Sequence, residues 1–283
     1  MEYGPEPQVF SVDGVPYRAL AETDLAWLKT YGRVFAVWDE LPSGNLCFGV
    51  EGAFGRLFVK YAGARTLYSR GAPEDAALLL RNAMPLYDLT HPALTRLLAH
   101  GPAGEGYAAV YVWRDAPALS DPAIQALARR LPPRRSLKML DMVFDLHACL
   151  AGEGLTAVEF WDGNVLMDFV RDEAVVCDID LYRQKPAFND RGRMWGSGRF
   201  MAPEEYCLGA PLDECTNVYN MGALAFAFFG DGEDRSEKAW FGPAPLFPVA
   251  RRAVQEDRKK RYPSLRAFLD AWREAVGLCR EID

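Results

Sequence analysis

The spacing of apolar residues changes character once along this chain, near Trp113, and that change limits the folds open to it. Before it, Val34-Phe35-Ala36-Val37-Trp38, Leu46 to Val50 and Leu57-Phe58-Val59-Lys60-Tyr61 read as strands, joined by turns at Pro42-Ser43-Gly44-Asn45 and over Gly52 to Gly55. Three antiparallel strands in succession are expected, with a fourth at Tyr107 to Trp113. Between them, residues 73 to 84 place Ala76, Leu79, Leu80 and Ala83 at helical spacing before Pro85 ends or kinks the run. After Trp113 helices dominate, at 121 to 130, 136 to 151, 217 to 229 and 264 to 276, with two short strands, Val165 to Met167 and Val175 to Cys177, among them. Strands gathered first and helices later indicate an α+β chain. Residues 8 to 19 read as a hairpin around Asp13-Gly14 and 22 to 31 as a short helix stopped by Gly32, an N-terminal extension over 1–32 that packs on the first lobe. A small β-rich lobe over 33–113 and a larger helical lobe over 114–283 complete the expected organisation, and clefts between such lobes are common ligand sites.

With 283 residues and about 150 per domain, the chain has room for two such lobes. Lys and Arg total 32 against 39 Asp and Glu, a formal charge of −7, so no general basic field favours nucleic acid or an anionic membrane. The basic stretches Arg129-Arg130 to Arg134-Arg135 and Arg258 to Arg261 are read as solvated faces. No run is apolar for long enough to cross a bilayer, and the start lacks signal-peptide features, so a soluble, cytoplasmic protein is expected. Six cysteines without a CxxC pair and three histidines without ligand spacing suggest reduced, mostly buried thiols and no structural metal.

The chemistry concentrates in residues 150 to 180. A helix ending near Gly154 and a strand beginning at Val165 enclose a loop that presents Glu159 and Asn164 five residues apart. A second strand, Ala174 to Cys177, delivers Asp178 and Asp180 at its carboxyl end. Hard oxygen ligands grouped in this way suit Mg²⁺, which is held by one or two protein groups together with substrate phosphates. Taken singly, an edge-strand lysine at position 60, a turn amide at 164 and a strand-end acid at 178 have ordinary structural explanations; their shared order favours function.

These segments resemble the protein kinase family. Leu150 to Leu166 matches the catalytic loop without a gap, setting Glu159 at the catalytic Asp and Asn164 at the metal-binding Asn. Val176 to Arg183 resembles the D-F-G segment, with Asp178 at its Asp, and Gly196 to Glu204 resembles the G-T-x-x-[YF]-M-A-P-E end of the activation segment. Asn217 to Gly222 looks like D-V-Y-S-L-G, Asp257 to Ser264 like D-P-x-x-R-x-[PS], and Val59-Lys60 like the phosphate-binding lysine strand. The resemblance runs from about Arg33 to Trp272 and implies a bilobal kinase-like fold, ATP and Mg²⁺ as cofactors, Lys60 on the phosphates, Asn164 and Asp178 on the metal and Glu159 on the accepting hydroxyl. It also implies an ion pair between Glu204 and Arg261 inside the helical lobe.

Several positions depart from the family. His-Arg-Asp is replaced by Ala157-Val158-Glu159, the following lysine by Trp161 and the usual Pro by Asp162, which makes Asp162 a second candidate base. Ser43-Gly44-Asn45 stands where a glycine-rich loop would cover the phosphates, leaving Gly44 as its one candidate contact. The usual glutamate partner of Lys60 falls on Asn82, with Glu74, Asp75 and Asp88 as possible substitutes. Residues 183 to 195 hold no Ser, Thr or Tyr, so phosphorylation there is not expected. The leading expectation is a Ser/Thr protein kinase. The alternatives are a pseudokinase that binds nucleotide as a scaffold and a small-molecule kinase of aminoglycoside-phosphotransferase type, the latter favoured by Asp178-Ile179-Asp180.

Overall fold

The computed structural model describes residues 6–53, 55–69 and 71–279. Contacts divide the chain into two units, one ending at residue 90 and resuming over 95–114, the other comprising 91–94 and everything from 115 onward. The fold is mixed, with a five-stranded antiparallel sheet and six α-helices among the described residues.

The first unit begins with a hairpin, β1 (Gln8–Val12) and β2 (Val15–Ala19), turning at Asp13-Gly14 as its sequence requires. The expected helix at 22 to 31 is a single 3₁₀ segment, Ala26–Thr30. The sheet is built from β3 (Arg33–Trp38), β4 (Leu46–Gly52), β5 (Gly55–Ala62), β6 (Leu97–Ala103) and β7 (Gly106–Val112), in the order β3-β4-β5-β7-β6. Alternation puts Leu46, Phe48, Val50, Leu57, Val59 and Tyr61 into one buried face. Tyr17, Ala19, Leu25 and Leu28 join that same core, so the N-terminal extension contributes to it rather than lying loosely outside. The helix α1 (Pro73–Ala83) contacts β5 and β7 and passes into a 3₁₀ turn at Met84–Tyr87.

Strand β6 was not expected. It is an edge strand paired only with β7, mostly exposed and carrying Pro102, so it shows none of the alternation that marks its neighbours.

In the second unit, α2 (Pro122–Ala128) and α3 (Pro133–Gly152) lead into β8 (Leu155–Thr156), then the hairpin β9 (Val165–Asp168) and β10 (Glu173–Val176). Two short pairings follow: β11 (Arg183–Gln184) with β8, and β12 (Ala187–Phe188) with β13 (Pro211–Leu212). The helix α4 (Glu214–Phe229) starts three residues before its apolar run, because Asp213 caps the Cys215 N–H and Thr216 answers at the Asp213 N–H. It is buried from Thr216 to Phe229, as an all-round apolar helix must be. At Gly222 a β-carbon would lie 2.6 Å from Ala253 Cβ, so only glycine allows α4 to approach α5 (Phe247–Ala253) this closely. This short helix, with Pro248 in its first turn, escaped sequence reading. The last helix, α6 (Leu265–Gly277), buries Leu265, Phe268, Leu269, Trp272 and Ala275 on one stripe, with Phe144 of α3 5.0 Å from Phe268 and 5.3 Å from Trp272.

Among the described residues no helix is long and apolar enough to cross a membrane. The thiols correct one expectation: only Cys47 is fully buried, Cys149, Cys177, Cys215 and Cys279 are half-buried, and Cys207 is exposed beside the 3₁₀ turn Pro203–Tyr206.

Candidate active site

The second unit gathers Glu159, Asn164 and Asp178. After β8, Ala157 and Val158 are buried and Phe160 packs against His147, ring centroids 4.6 Å apart. The backbone of Ala157 is gripped from both sides by one amide: its N–H donates to Asn217 Oδ1 at 2.9 Å, and its carbonyl accepts from Asn217 Nδ2 at 2.7 Å. Between the anchored Val158 and Phe160, Glu159 takes a left-handed conformation, φ 63°. That geometry costs an L-residue roughly 1–2 kcal/mol and persists only where its surroundings enforce it.

Asn164 ends a 3₁₀ turn, Asp162–Asn164, in which its Oδ1 accepts the Trp161 N–H at 3.0 Å. The Trp161 indole covers Gly163, where a β-carbon would come within 2.4 Å of the ring. The register of the next hairpin, Val165 opposite Val176, and the bond from Cys177 N to Asn164 O at 2.9 Å bring Asn164 and Asp178 to the same end of β9 and β10. Asp178 is also left-handed, φ 57°. Beyond it the chain is anchored by Tyr182, whose hydroxyl donates to His147 Nε2 at 2.8 Å while His147 Nδ1 donates to the Val143 carbonyl. Complete burial holds His147 neutral, its pKa lowered to about 4.

Burial raises three carboxyls of this unit, Glu159, Asp162 and Glu205. At Glu159 burial is the largest cause and Asp178 adds to it, against Arg191, Arg183 and the Trp195 N–H; the balance leaves the carboxyl at about 7. Its Oε1 is buried without a hydrogen-bond partner. Asp162 is a different kind of acid. It is fully buried, and its Oδ2 accepts from Arg199 Nη2 at 2.7 Å and Gln125 Nε2 at 3.0 Å. Burial outweighs Arg199 and raises its pKa as well, but an enclosed carboxylate tied to α2 and residue 199 has no path to a substrate proton. Glu205, which the sequence did not single out, is buried too. Its carboxylate reaches back to the Ala202 N–H at 2.7 Å, and burial pushes it up to about 7.

Lys60 and Gly44 belong to the first unit. Lys60 lies on β5 between Cys47 of β4 and Ala109 of β7 and is buried. Gly44, at φ 75°, is folded onto its own unit: its carbonyl accepts from Thr66 Oγ1 at 2.9 Å, and a β-carbon would sit 2.9 Å from Ser69 Cα. Asn82, at the usual glutamate position, and the possible substitute partners Glu74, Asp75 and Asp88 are all exposed.

Arg199 and Asn217 are the site residues that sequence reading missed. Their signal was indirect: a loop acid at 162 needs a cation once buried, and an amide at 217 in place of an acid can serve both a donor and an acceptor. One further trio, His91, Asp145 and Cys149, has ligand atoms within 4.8 Å of one another. However, His91 Nδ1 accepts the Ala93 N–H, so the ring proton sits on Nε2 and points at Asp145, 3.2 Å away, while Arg273 takes the other carboxylate oxygen. That arrangement leaves His91 no lone pair for a cation. No family model matches the chain, and no curated protein matches it either.

Proposed function

We propose that this chain is an ATP- and Mg²⁺-dependent phosphotransferase of bilobal, protein kinase-like fold, acting on a protein Ser or Thr hydroxyl. The observation that carries the reading is the Glu159 carboxyl, brought to about 7 by burial and by Asp178 at the end of the β9–β10 hairpin. A base titrating there takes up a hydroxyl proton near neutral pH without being idle as a permanent anion.

The donor set suits Mg²⁺. Asp178 offers a carboxylate, and Asn164 Oδ1 keeps a second lone pair beyond the one used by Trp161 N–H. These two residues would hold the cation and Lys60 would hold the phosphates, as the resemblance to kinases implies. When bound, Mg²⁺ with ATP supplies the transferable phosphoryl group and neutralises charge on its oxygens. Glu159 accepts the proton of the attacking hydroxyl, the Trp195 N–H steadies its carboxylate, and Asp162, locked between Arg199 and Gln125, positions the loop rather than reacting.

A scaffold reading is favoured by two features: Trp161 and Gly163 are packed on each other where a lysine would serve the phosphates, and the Gly44 turn is engaged by Thr66. Thermal melts with and without MgATP, combined with transfer of label from γ-labelled ATP to a mixed protein substrate, separate the readings. Stabilisation by MgATP with transfer that Glu159→Gln abolishes supports the kinase. Stabilisation without transfer supports the scaffold, and no stabilisation removes both.

A further inference from the structure

The first unit holds a cavity of about 670 Å³ between the hairpin β1–β2 and the 3₁₀ segment Ala26–Thr30, which the phosphotransferase reading does not use. Its volume falls within the range of small-molecule sites, roughly 300–1,000 Å³. The floor is apolar: Leu25 and Leu28 are buried, and the rings of Phe10 and Tyr17 lie side by side, centroids 5.8 Å apart. The charged part of the lining sets Asp13, Glu22 and Asp24 against the single ammonium of Lys29. Asp13 accepts the Val34 N–H at 2.8 Å and Asp24 the Ala26 N–H at 2.9 Å, neutral donors that fix the two side chains and leave their charge intact. Among the described residues none of these three carboxylates forms an ion pair, and Arg18, the neighbour of Tyr17, is already committed to Asp39 and Glu40. A solvated acidic rim would be ordinary on a chain of net charge −7. The group beneath it is not. Tyr17 is 4 % exposed, yet among the described residues its hydroxyl makes no hydrogen bond, whereas buried tyrosine hydroxyls ordinarily find a partner. Burial and the Glu22 carboxylate on the rim both raise its pKa, so the hydroxyl stays protonated under a negative charge.

We infer that this cavity binds an organic cation, a primary ammonium carried on an apolar body. The body lies against Phe10, Tyr17 and Leu28, whose two aromatic faces also attract a cation. The ammonium meets the Glu22 carboxylate and the Tyr17 oxygen, whose lone pairs are free to accept from it. The rim repels an anion and gives a neutral ligand nothing that the floor does not. A free amine and a lysine side chain of a partner protein offer the same chemistry, and the test tells the two sources apart.

The test is a titration of the full chain without nucleotide, followed by amide chemical shifts. Three probes share one apolar body and differ in charge at neutral pH: phenethylamine, phenethyl alcohol and hydrocinnamate. The amine should shift amides within residues 10 to 29 and bind roughly tenfold more tightly than the alcohol. That advantage should shrink as salt rises, and hydrocinnamate should bind most weakly. Glu22→Gln should remove most of the advantage and Lys29→Gln should enlarge it, two changes at exposed positions that leave the floor intact. Tyr17→Phe should weaken the amine severalfold at an unchanged melting temperature, because the hydroxyl it deletes holds nothing in the fold. Should that variant melt early, the Glu22 and Lys29 variants decide. A lysine peptide that binds, and loses binding when its side chain is acetylated, identifies a partner protein as the source; binding of the amine without the peptide identifies a small molecule. Equal affinity for amine and alcohol, shifts confined to other residues, or Glu22 and Lys29 variants that bind as the parent does would overturn the inference. None of these outcomes bears on phosphoryl transfer, so the cavity and the kinase reading stand or fall separately.

Discussion

Arg261 holds Glu204 through both carboxylate oxygens, Nη1 to Oε1 at 2.7 Å and Nη2 to Oε2 at 3.0 Å, in a pair 57 residues apart and almost wholly buried. The other three N–H groups of the guanidinium go to the carbonyls of Gln255, Cys215 and Glu256, so all five donors are used. Thr216 adds a hydroxyl to Oε1. This is the pair that the Pro203-Glu204 and Asp257-to-Arg261 segments implied, and it ties the turn before α4 to the segment before α6. Truncating one partner strands a buried charge. Arg261→Ala should cost about 3–5 kcal/mol, read as a lower urea midpoint at unchanged slope. Burial alone would raise the Glu204 carboxyl, but Arg261 outweighs it and holds the pKa below 4.5. The stability it contributes is therefore present above 4.5 and lost as pH falls through the lowered value. Glu204→Gln should flatten that acid limb, and an unchanged acid midpoint in this variant would refute the assignment.

Glu159 and Asp162 should separate cleanly in kinetics. If Glu159 is the base proposed above, Glu159→Gln should lower kcat by about 10²–10⁴, with little change in melting temperature. Asp162→Asn keeps an acceptor for Arg199 but loses the buried charge pair, so its main effect should be on stability. Because Glu159 titrates at about 7, kcat/KM should rise through neutral pH to a plateau above it. A profile flat from pH 5 to 8, or Asp162→Asn as damaging to kcat as Glu159→Gln, would show the base to be elsewhere.

The parts of this site that were legible in the sequence are those fixed by local pattern. The short apolar runs Val165 to Met167 and Val175 to Cys177 mark two short strands, and pairing them brings Asn164 and Asp178 to the same end. What was not legible depends on partners remote in sequence or on backbone geometry without a compositional signal. The Arg199 salt bridge spans 37 residues. The left-handed φ at Glu159 falls on a residue type that seldom adopts it, so no propensity announces it. Strand β6 fails for a third reason, since an exposed edge needs no apolar alternation.

Asp178 and Asp180 stand two residues apart, yet they should differ in function. Asp178 follows the hairpin directly, is left-handed and acts on the Glu159 carboxyl, whereas Asp180 lies buried one residue past Ile179, which is itself fully enclosed. Asp178→Asn should abolish the MgATP-dependent rise in melting temperature and lower the apparent pKa of Glu159, because a negative neighbour that raised it is gone. Asp180→Asn should leave most of the thermal shift intact. The opposite order of severity would move the cation ligand to Asp180.

Asn217 offers the sharpest test of how α4 positions the loop that carries Glu159. Its amide donates to the Ala157 carbonyl and accepts from the Ala157 N–H, and Nδ2 is also 3.2 Å from Asn220 Oδ1. A carboxylate could keep the bond from Ala157 N–H but not donate to the carbonyl, and it would face the Asn220 oxygen as a second acceptor. Asn217→Asp should therefore destabilise by about 1–3 kcal/mol, the cost of leaving a buried acceptor unpaired, and more if the acid stays charged. The loop held at Ala157 carries Glu159 two residues later, so kcat should fall as well, since a misplacement of about 1 Å can cost roughly 10²-fold. A variant as stable and active as the parent would mean that the two bonds to Ala157 do not set the position of Glu159.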